Sequence, residues 1–84
     1  MNTDNELLTH LDQLHTTELG ILRIKRNLSL DTADVVDWCK TKISSSDALI
    51  KRKGKNWYVH IDNCILTINA YSYTIITAHK EKQS

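Results

Sequence analysis

The fold is decided by residues 56–69, which read NWYVHIDNCILTIN. Apolar and polar residues alternate on both sides of Asp62-Asn63, a pair that tolerates the positive φ angles of a two-residue hairpin turn. The stretch therefore predicts two antiparallel strands joined at that turn. The apolar face of this hairpin is predicted to carry the pairs Ile61–Cys64, Val59–Leu66 and Trp57–Ile68.

The other face of the hairpin carries aromatic, amide and hydroxyl groups. Its predicted pairs are Asn56–Asn69, Tyr58–Thr67 and His60–Ile65. A second turn at Ala70-Tyr71 leads to a predicted strand over residues 72–79, which are rich in β-branched and aromatic types. Strict alternation puts Thr77 and His79 of that strand on the core side, whereas a β-bulge or the end of the strand would release His79 to the other face.

Residues N-terminal to the hairpin are predicted to form one more strand of the sheet and, before that strand, helices. Residues 48–52 predict a first strand, and residues 53–56, which read KGKN, predict a turn. Farther upstream the apolar period changes from 2 to 3.6, which indicates helices. The first helix is expected over about residues 5–14, with Asp4 or Asn5 as its N-cap.

Two more helices are predicted, capped by Thr16 or Thr17 and by Asp31. The chain of 84 residues is thus expected to form one α+β domain. About three N-terminal helices pack on one face of a three- to four-stranded antiparallel β-meander. Its parts are a helical half at 1–46, an antiparallel sheet at 47–80 and a frayed tail at 81–84.

Charge is distributed unevenly along the chain. The formal net charge is +1, from 11 Lys and Arg against 10 Asp and Glu. Residues 1–22 hold four of the acids and none of the Lys or Arg, so residues 23–84 carry eleven bases against six acids. The densest basic run is KRKGK at 51–55. This excess predicts an anionic partner for the C-terminal half.

Several other classes of function are not indicated. Cys39 and Cys64 fit no metal-ligand spacing and are expected to be free core thiols, so no metal and no cofactor is predicted. The first residues lack the charged and apolar segments of a signal peptide, and no apolar run reaches membrane length. We therefore expect a cytoplasmic protein that does not contact the membrane.

The polar sheet face beside the basic turn has the chemistry of an RNA site. Lys and Arg neutralise phosphates, and an exposed aromatic ring stacks on a base. A histidine can take a proton from a ribose 2′-hydroxyl or give one to the leaving oxygen without a metal. His60 is therefore the candidate general acid or base. The predicted RNA contacts are Arg52, Lys53, Lys55, Asn56, Tyr58 and Asn69.

One pattern extends over nearly the whole chain. Its segments are His15, Arg23, Arg26, NLS at 27–29 and DVV at 34–36, then GKNWYV at 54–59 and SYTIITAH at 72–79. Together these segments closely resemble a family of small bacterial proteins known only as a domain of unknown function. That family carries no established activity.

The order of elements is also, more distantly, similar to the barnase, colicin and RelE-type ribonuclease superfamily. In those folds N-terminal helices pack on an antiparallel sheet that carries a metal-independent site. This resemblance implies catalytic roles for His60, Thr77 and His79, and it brings in His15 and Arg23 or Arg26 as further site positions. The central strands here lack the glutamate that serves as the barnase-like base, so the resemblance requires a histidine or a substrate-assisted route.

A non-catalytic protein-interaction module is the rival prediction. Such a module would be an antitoxin, a phage-encoded inhibitor such as an anti-defence protein, or a dimeric adaptor. The small size, the missing acidic base and the hairpin tip at residues 71–73 favour it. The last strand could then be an open edge through which a homodimer forms.

Overall fold

Four antiparallel strands follow the helices along the chain and lie in the sheet in sequence order. The computed structural model describes residues 4–81. Its elements are α1 Asp4–Thr9, a 3-10 turn at Leu11–Gln13, α2 Glu18–Leu28, α3 Val35–Ile43, β1 Leu49–Lys53, β2 Asn56–Ile61, β3 Cys64–Asn69 and β4 Ile75–Lys80. The predicted α+β fold with an antiparallel meander is confirmed.

The β2–β3 hairpin has the predicted register. Asp62 and Asn63 form its turn with φ angles of 51° and 61°, which are the left-handed values that such a turn requires. The pairing runs from Asn56–Asn69 at one end to Ile61–Cys64 at the other. Consequently the apolar pairs of this hairpin share one face, and its amide, aromatic and hydroxyl groups share the other.

A β-bulge in β4 corrects the prediction made from strict alternation. Thr67 pairs with Thr77, although alternation from the preceding pair would place Ile76 there. Because the extra residue moves every following side chain to the opposite face, Thr77 and His79 lie on the polar face. Ala78, which is 0% exposed, takes the core position instead.

Side-chain caps fix where the two longer helices begin. Thr17 accepts a hydrogen bond from the N–H of Gly20 at 3.0 Å, which confirms one of the two caps predicted for α2. The prediction that Asp31 caps α3 is wrong. Asp34 is the cap, since its carboxylate accepts the N–H of Asp37 at 3.0 Å.

The first helix is shorter than predicted. α1 ends at Thr9, and a 3-10 turn follows after His10, whereas one helix over residues 5–14 was expected. The side chains of Asp4 and Asn5, its two candidate caps, lie outside the described part of the structure. Residues 82–84 of the predicted frayed tail lie outside it too.

The helices cover the side of the sheet that carries Trp57. Ile24 and Leu28 of α2 are buried against β4, and Cys39 and Ile43 of α3 are buried with them. The full core consists of Leu7, Leu14, Ile24, Leu28, Val35, Cys39, Ile43, Ile50, Trp57, Val59, Ile61, Leu66, Ile68, Ile75 and Ala78. The opposite face of the sheet is left without a helix among residues 4–81 and is called the open face below.

Residues nearer the N-terminus occupy part of the outer edge of β4, which was predicted to be an open edge. His15 forms a parallel bridge with Thr74. The Thr16 hydroxyl donates to the carbonyl of Ile75 at 2.8 Å, and the Asn27 amide donates to the carbonyl of Ala78 at 3.2 Å. The other sheet edge is β1, to whose outer side no described residue gives a backbone hydrogen bond.

Candidate nucleic-acid interface

The open face consists of three rows of side chains that cross the strands. Each row follows from the observed pairing of neighbouring strands. The rows are Leu49–His60–Ile65–His79, then Lys51–Tyr58–Thr67–Thr77, then Lys53–Asn56–Asn69. The face therefore brings together His60, Thr77 and His79, the three residues predicted to be catalytic.

Two histidines share the first row. His60 and His79 both pair with Ile65, from opposite sides, so two strand spacings of about 10 Å in total separate their backbones. His79 is exposed, and the His60 side chain is 30% exposed. Both imidazoles are therefore accessible to a ligand that lies across the row.

Glu81 lies beside His60 and was missed in the sequence. Its Oε1 is 3.7 Å from Nδ1 of His60, which is an ion-pair distance when the imidazole is protonated. The backbone N–H of Glu81 donates to the carbonyl of Asn63 at 2.6 Å, which holds this residue against the hairpin. No signal in the sequence marked this position, because residues 81–84 were assigned to a tail and strict alternation from His79 would have put Glu81 on the core side; the bulge in β4 reverses that.

A basic groove lies at the β1 side of the open face. It has a volume of about 560 Å³ and is lined by Lys51, Arg52, Lys53, Gly54, Tyr58 and His60. Lys51 and Lys53 are exposed, whereas Tyr58 is half-buried. The Tyr58 hydroxyl is 3.5 Å from the Asn56 amide nitrogen. The groove thus sets two cations beside an aromatic ring and an imidazole.

Arg52 belongs to the other side of β1. It pairs with Trp57, and its guanidinium carbon lies 5.6 Å from the Trp57 ring centre and 5.8 Å from that of Tyr71. Its Nε donates to the carbonyl of Gly54 at 2.8 Å. Arg52 therefore reaches the rim of the groove from the core side, where it lies beside two aromatic rings. It does not share a row of the open face with His60.

The remaining predicted cations are spread more widely. Lys55 is exposed in the turn after β1. Arg23 and Arg26 are exposed on α2, which packs on the core face of the sheet. The structure therefore does not bring these two arginines together with the open-face residues.

Asn69 closes the β3–β4 turn and supports its shape. Its Oδ1 accepts the N–H groups of Tyr71 and Ser72, both at 2.9 Å. The Ser72 hydroxyl contacts the Thr74 hydroxyl at 2.7 Å, which in turn lies 3.0 Å from Nε2 of His15. These bonds occupy Asn69 and His15 in holding the edge of β4.

The two cysteines are not activated. Burial raises the pKa of the Cys39 thiol to about 12, and burial, followed by the Asp62 carboxylate, raises the pKa of Cys64. Among residues 4–81, no three side chains of metal-ligating type converge. Within the same range no helix is both long and apolar enough to cross a membrane.

Comparison with known proteins identifies a family. The model of the family described as "Protein of unknown function (DUF3781)" matches residues 8–79, so the chain belongs to that family. No curated protein and no solved structure gives a significant match. The predicted membership of an uncharacterised family is confirmed, whereas the ribonuclease resemblance stays a prediction.

Proposed function

We propose that this member of the family binds single-stranded RNA on its open face. The observation that carries the proposal is the groove in which Lys51 and Lys53 lie beside Tyr58 and His60. Ammonium groups attract the phosphates of any strand, and an aromatic ring offers a stacking surface that tolerates every base. A sheet face that no helix of residues 4–81 covers also suits an extended strand, whose bases can be splayed out.

The same face supports RNA cleavage without a metal. His60 takes the proton of a ribose 2′-hydroxyl as the 2′-oxygen attacks phosphorus. His79 gives a proton to the departing 5′-oxygen, so that a cyclic phosphate and a free 5′-hydroxyl result. Glu81, whose Oε1 is 3.7 Å from Nδ1 of His60, orients that imidazole, and the Thr77 hydroxyl in the next row donates to a phosphoryl oxygen.

Binding is tested by fluorescence anisotropy with a labelled single-stranded RNA. The Lys51→Ala, Lys53→Ala double variant is expected to bind about tenfold more weakly, because two phosphate contacts are lost. The matched control removes two lysines of the helical side, Lys25→Ala with Lys40→Ala, and should change affinity less than about twofold. Equal losses in the two variants would show that only total charge matters and would reject the groove.

Stacking is tested separately from charge. Tyr58→Leu is expected to weaken binding about fivefold or more, since one base loses its aromatic platform. Tyr71→Leu removes a tyrosine that is 75% exposed and packs on Arg52 at the hairpin tip. RNA affinity that falls for Tyr71→Leu and stays constant for Tyr58→Leu would contradict the assignment.

Cleavage is tested with purified protein in the presence of EDTA. The His60→Ala, His79→Ala double variant should lose activity, whereas His10→Ala, which changes a histidine of the helical half, should keep it. Equal residual cleavage by the wild type and the double variant would indicate a contaminating nuclease. The cleavage part of the proposal would then be rejected, and the RNA-binding part would remain.

A second candidate function is protein binding through the same face. Leu49 is 53% exposed at the end of the first row, and Ile76 is 40% exposed at the bulge. Exposed aliphatic side chains next to aromatic ones are typical of protein contacts. An inhibitor or antitoxin role predicts that Leu49→Asp abolishes capture of one defined protein partner, while RNA affinity in the wild type is absent.

A further inference from the structure

The outer edge of β1 carries backbone groups that no other strand engages. β1 pairs with β2 in a regular register, from Leu49–His60 to Lys53–Asn56. Within residues 4–81, nothing gives a backbone hydrogen bond to its other side. Proteins often protect such an edge with a β-bulge or a proline, but the register of β1 has no shift and the chain has no proline. The edge is therefore open to an added strand.

The side chains along this edge are basic near the turn that ends β1. Lys51 and Lys53 are exposed on the open face, and Lys55 is exposed in the turn itself. Arg52 lies on the other face of the strand, beside Trp57. Because side chains alternate along a strand, a strand added beside β1 would pass two ammonium groups on the open face, at positions two residues apart.

The acids around β1 lie away from these two lysines. Asp47 comes two residues before the strand begins. Glu81 has its Oε1 3.7 Å from Nδ1 of His60, and His60 pairs with Leu49 at that same end of β1. Glu6 belongs to α1, which packs on the core side of the sheet. A complementary strand therefore carries its acids where it passes the lysines and needs none at the Leu49 end.

We infer that β1 takes an extended acidic segment of another protein as an added strand of the sheet. Backbone hydrogen bonds along the edge hold the segment, and two carboxylates one residue apart meet Lys51 and Lys53 across the new strand pair. The inference does not rest on RNA binding, since the site is the strand edge and its ligand is a polypeptide.

The charge of β1 argues against a second copy of this chain at the same edge. Pairing β1 with its own copy would bring the three consecutive bases of residues 51–53 against the same three bases, and like charges directly opposite each other destabilise a strand pair. The lysines thus repel a copy of β1 and attract an acidic segment.

Binding is tested by NMR titration of the full chain, without RNA, using a peptide of Val and Thr residues that carries two Glu one residue apart. Peptide binding should slow hydrogen exchange of the outward N–H groups of β1 at least about tenfold, because the added strand covers them, and should leave β4 unchanged. No chemical-shift change up to about 1 mM peptide, or binding without protection of β1, would overturn the inference.

The role of charge is tested with matched variants. Lys51→Ala with Lys53→Ala should weaken peptide binding about fivefold, because two cross-strand ion pairs are lost. Lys25→Ala with Lys40→Ala removes the same charge from the helical side and should change affinity less than about twofold. A peptide with Lys in place of both Glu should bind more weakly than the acidic one, and equal affinity of the two peptides would reject an acidic partner.

Strand addition is separated from simple charge attraction by N-methylation of the peptide backbone. Two peptides of the same sequence carry N-methyl groups on alternate residues, one peptide on each set. Only alternate N–H groups of an added strand face β1, so one of the two should bind at least about tenfold more weakly than the other. Equal affinities would show that the carboxylates alone are attracted and that no strand is added.

Discussion

At the residue scale, one carboxylate decides where α3 begins. Asp31 and Asp34 both have the side chain of an N-cap and both precede an apolar stretch. Only Asp34 bonds the N–H three residues ahead, because Val35 and Cys39 must then turn into the core. Tertiary packing therefore selects between two caps of equal intrinsic preference.

The capping assignment predicts unequal effects of two similar substitutions. Asp34→Ala should lower the free energy of unfolding by about 1 kcal/mol, the usual worth of a capping carboxylate. Asp31→Ala should change it by less than about 0.5 kcal/mol, as expected for an exposed site. Urea denaturation of the two variants measures both effects. A larger loss for Asp31→Ala would move the start of the helix back by one turn.

The buried thiol of Cys39 predicts how stability falls in alkali. Its pKa is about 12 in the fold against an ordinary 9.0, so between these values the unfolded chain releases a proton that the folded chain keeps. Unfolding is thereby favoured as the pH rises, by up to about 1.4 kcal/mol per pH unit from this group. Below pH 9 the contribution is constant.

The measurement compares the wild type with Cys39→Ala by urea denaturation from pH 8 to 10.5. Below pH 9 the variant should be less stable because it leaves a cavity, and above pH 9 its stability should fall less steeply than that of the wild type. All tyrosines and lysines are present in both proteins, so the difference in slope isolates Cys39. Parallel curves would show that the thiol ionises normally in the fold.

At the scale of elements, the sequence specified the strands that alternate regularly and failed where a strand does not. β3 has its predicted bounds, and the β2–β3 register follows from the turn at Asp62-Asn63. The bulge at Ile76 could not be predicted from the residue types, because Ile75, Ile76 and Thr77 are all β-branched and suit either face of a sheet.

The candidate site was predictable to the same extent. His60 and Tyr58 lie on the regular hairpin, and their face was predicted correctly. The face of the sheet on which Arg52 lies depends on the strand register across the turn at Gly54, and the sequence did not specify that register. The bridge between His15 and Thr74 beside β4 could not be predicted either, since its hydrogen bonds join backbone groups of residues far apart in the chain.

The bulge predicts which pair of engineered cysteines will form a disulfide. In a Cys64→Ser background, Ile65→Cys with His79→Cys should cross-link readily, because directly opposed residues lie within disulfide range. Ile65→Cys with Ala78→Cys would be the opposed pair if the strand alternated without a bulge. Mass spectrometry after mild oxidation compares the two, and faster closure of the second pair would refute the observed register.

At the scale of the whole molecule, the uneven charge decides how binding should respond to salt. The acids of residues 1–22 lie in the helical part, while Lys51, Lys53 and Lys55 lie along β1 and its turn. A strand on the open face would thus meet the basic end of the molecule and avoid most of the N-terminal acids. Association should be fast at low ionic strength and slower as salt screens the field.

The three lysines also predict how steeply the dissociation constant for RNA should depend on salt concentration. Each phosphate neutralised contributes about 0.7 to the slope of log Kd against log salt for single strands, so three lysines give about 2. Lys51→Ala should lower the slope by about 0.7, whereas Tyr58→Leu should weaken binding with the slope unchanged. Anisotropy titrations at several KCl concentrations give both slopes, and a slope that is insensitive to Lys51→Ala would exclude a phosphate contact there.

The parallel bridge between His15 and Thr74 also limits how early the chain can complete its fold during synthesis. Its two sides are 59 residues apart in sequence, so the ribosome releases one side long before it makes the other. Until β4 emerges, α2 lacks the strand on which it packs, and its apolar side is exposed to water or to chaperones. Contacts of such long range form late and slow the search for the native state. A ribosome that stalls before β4 therefore holds a chain without a finished core, which is a ready substrate for proteases.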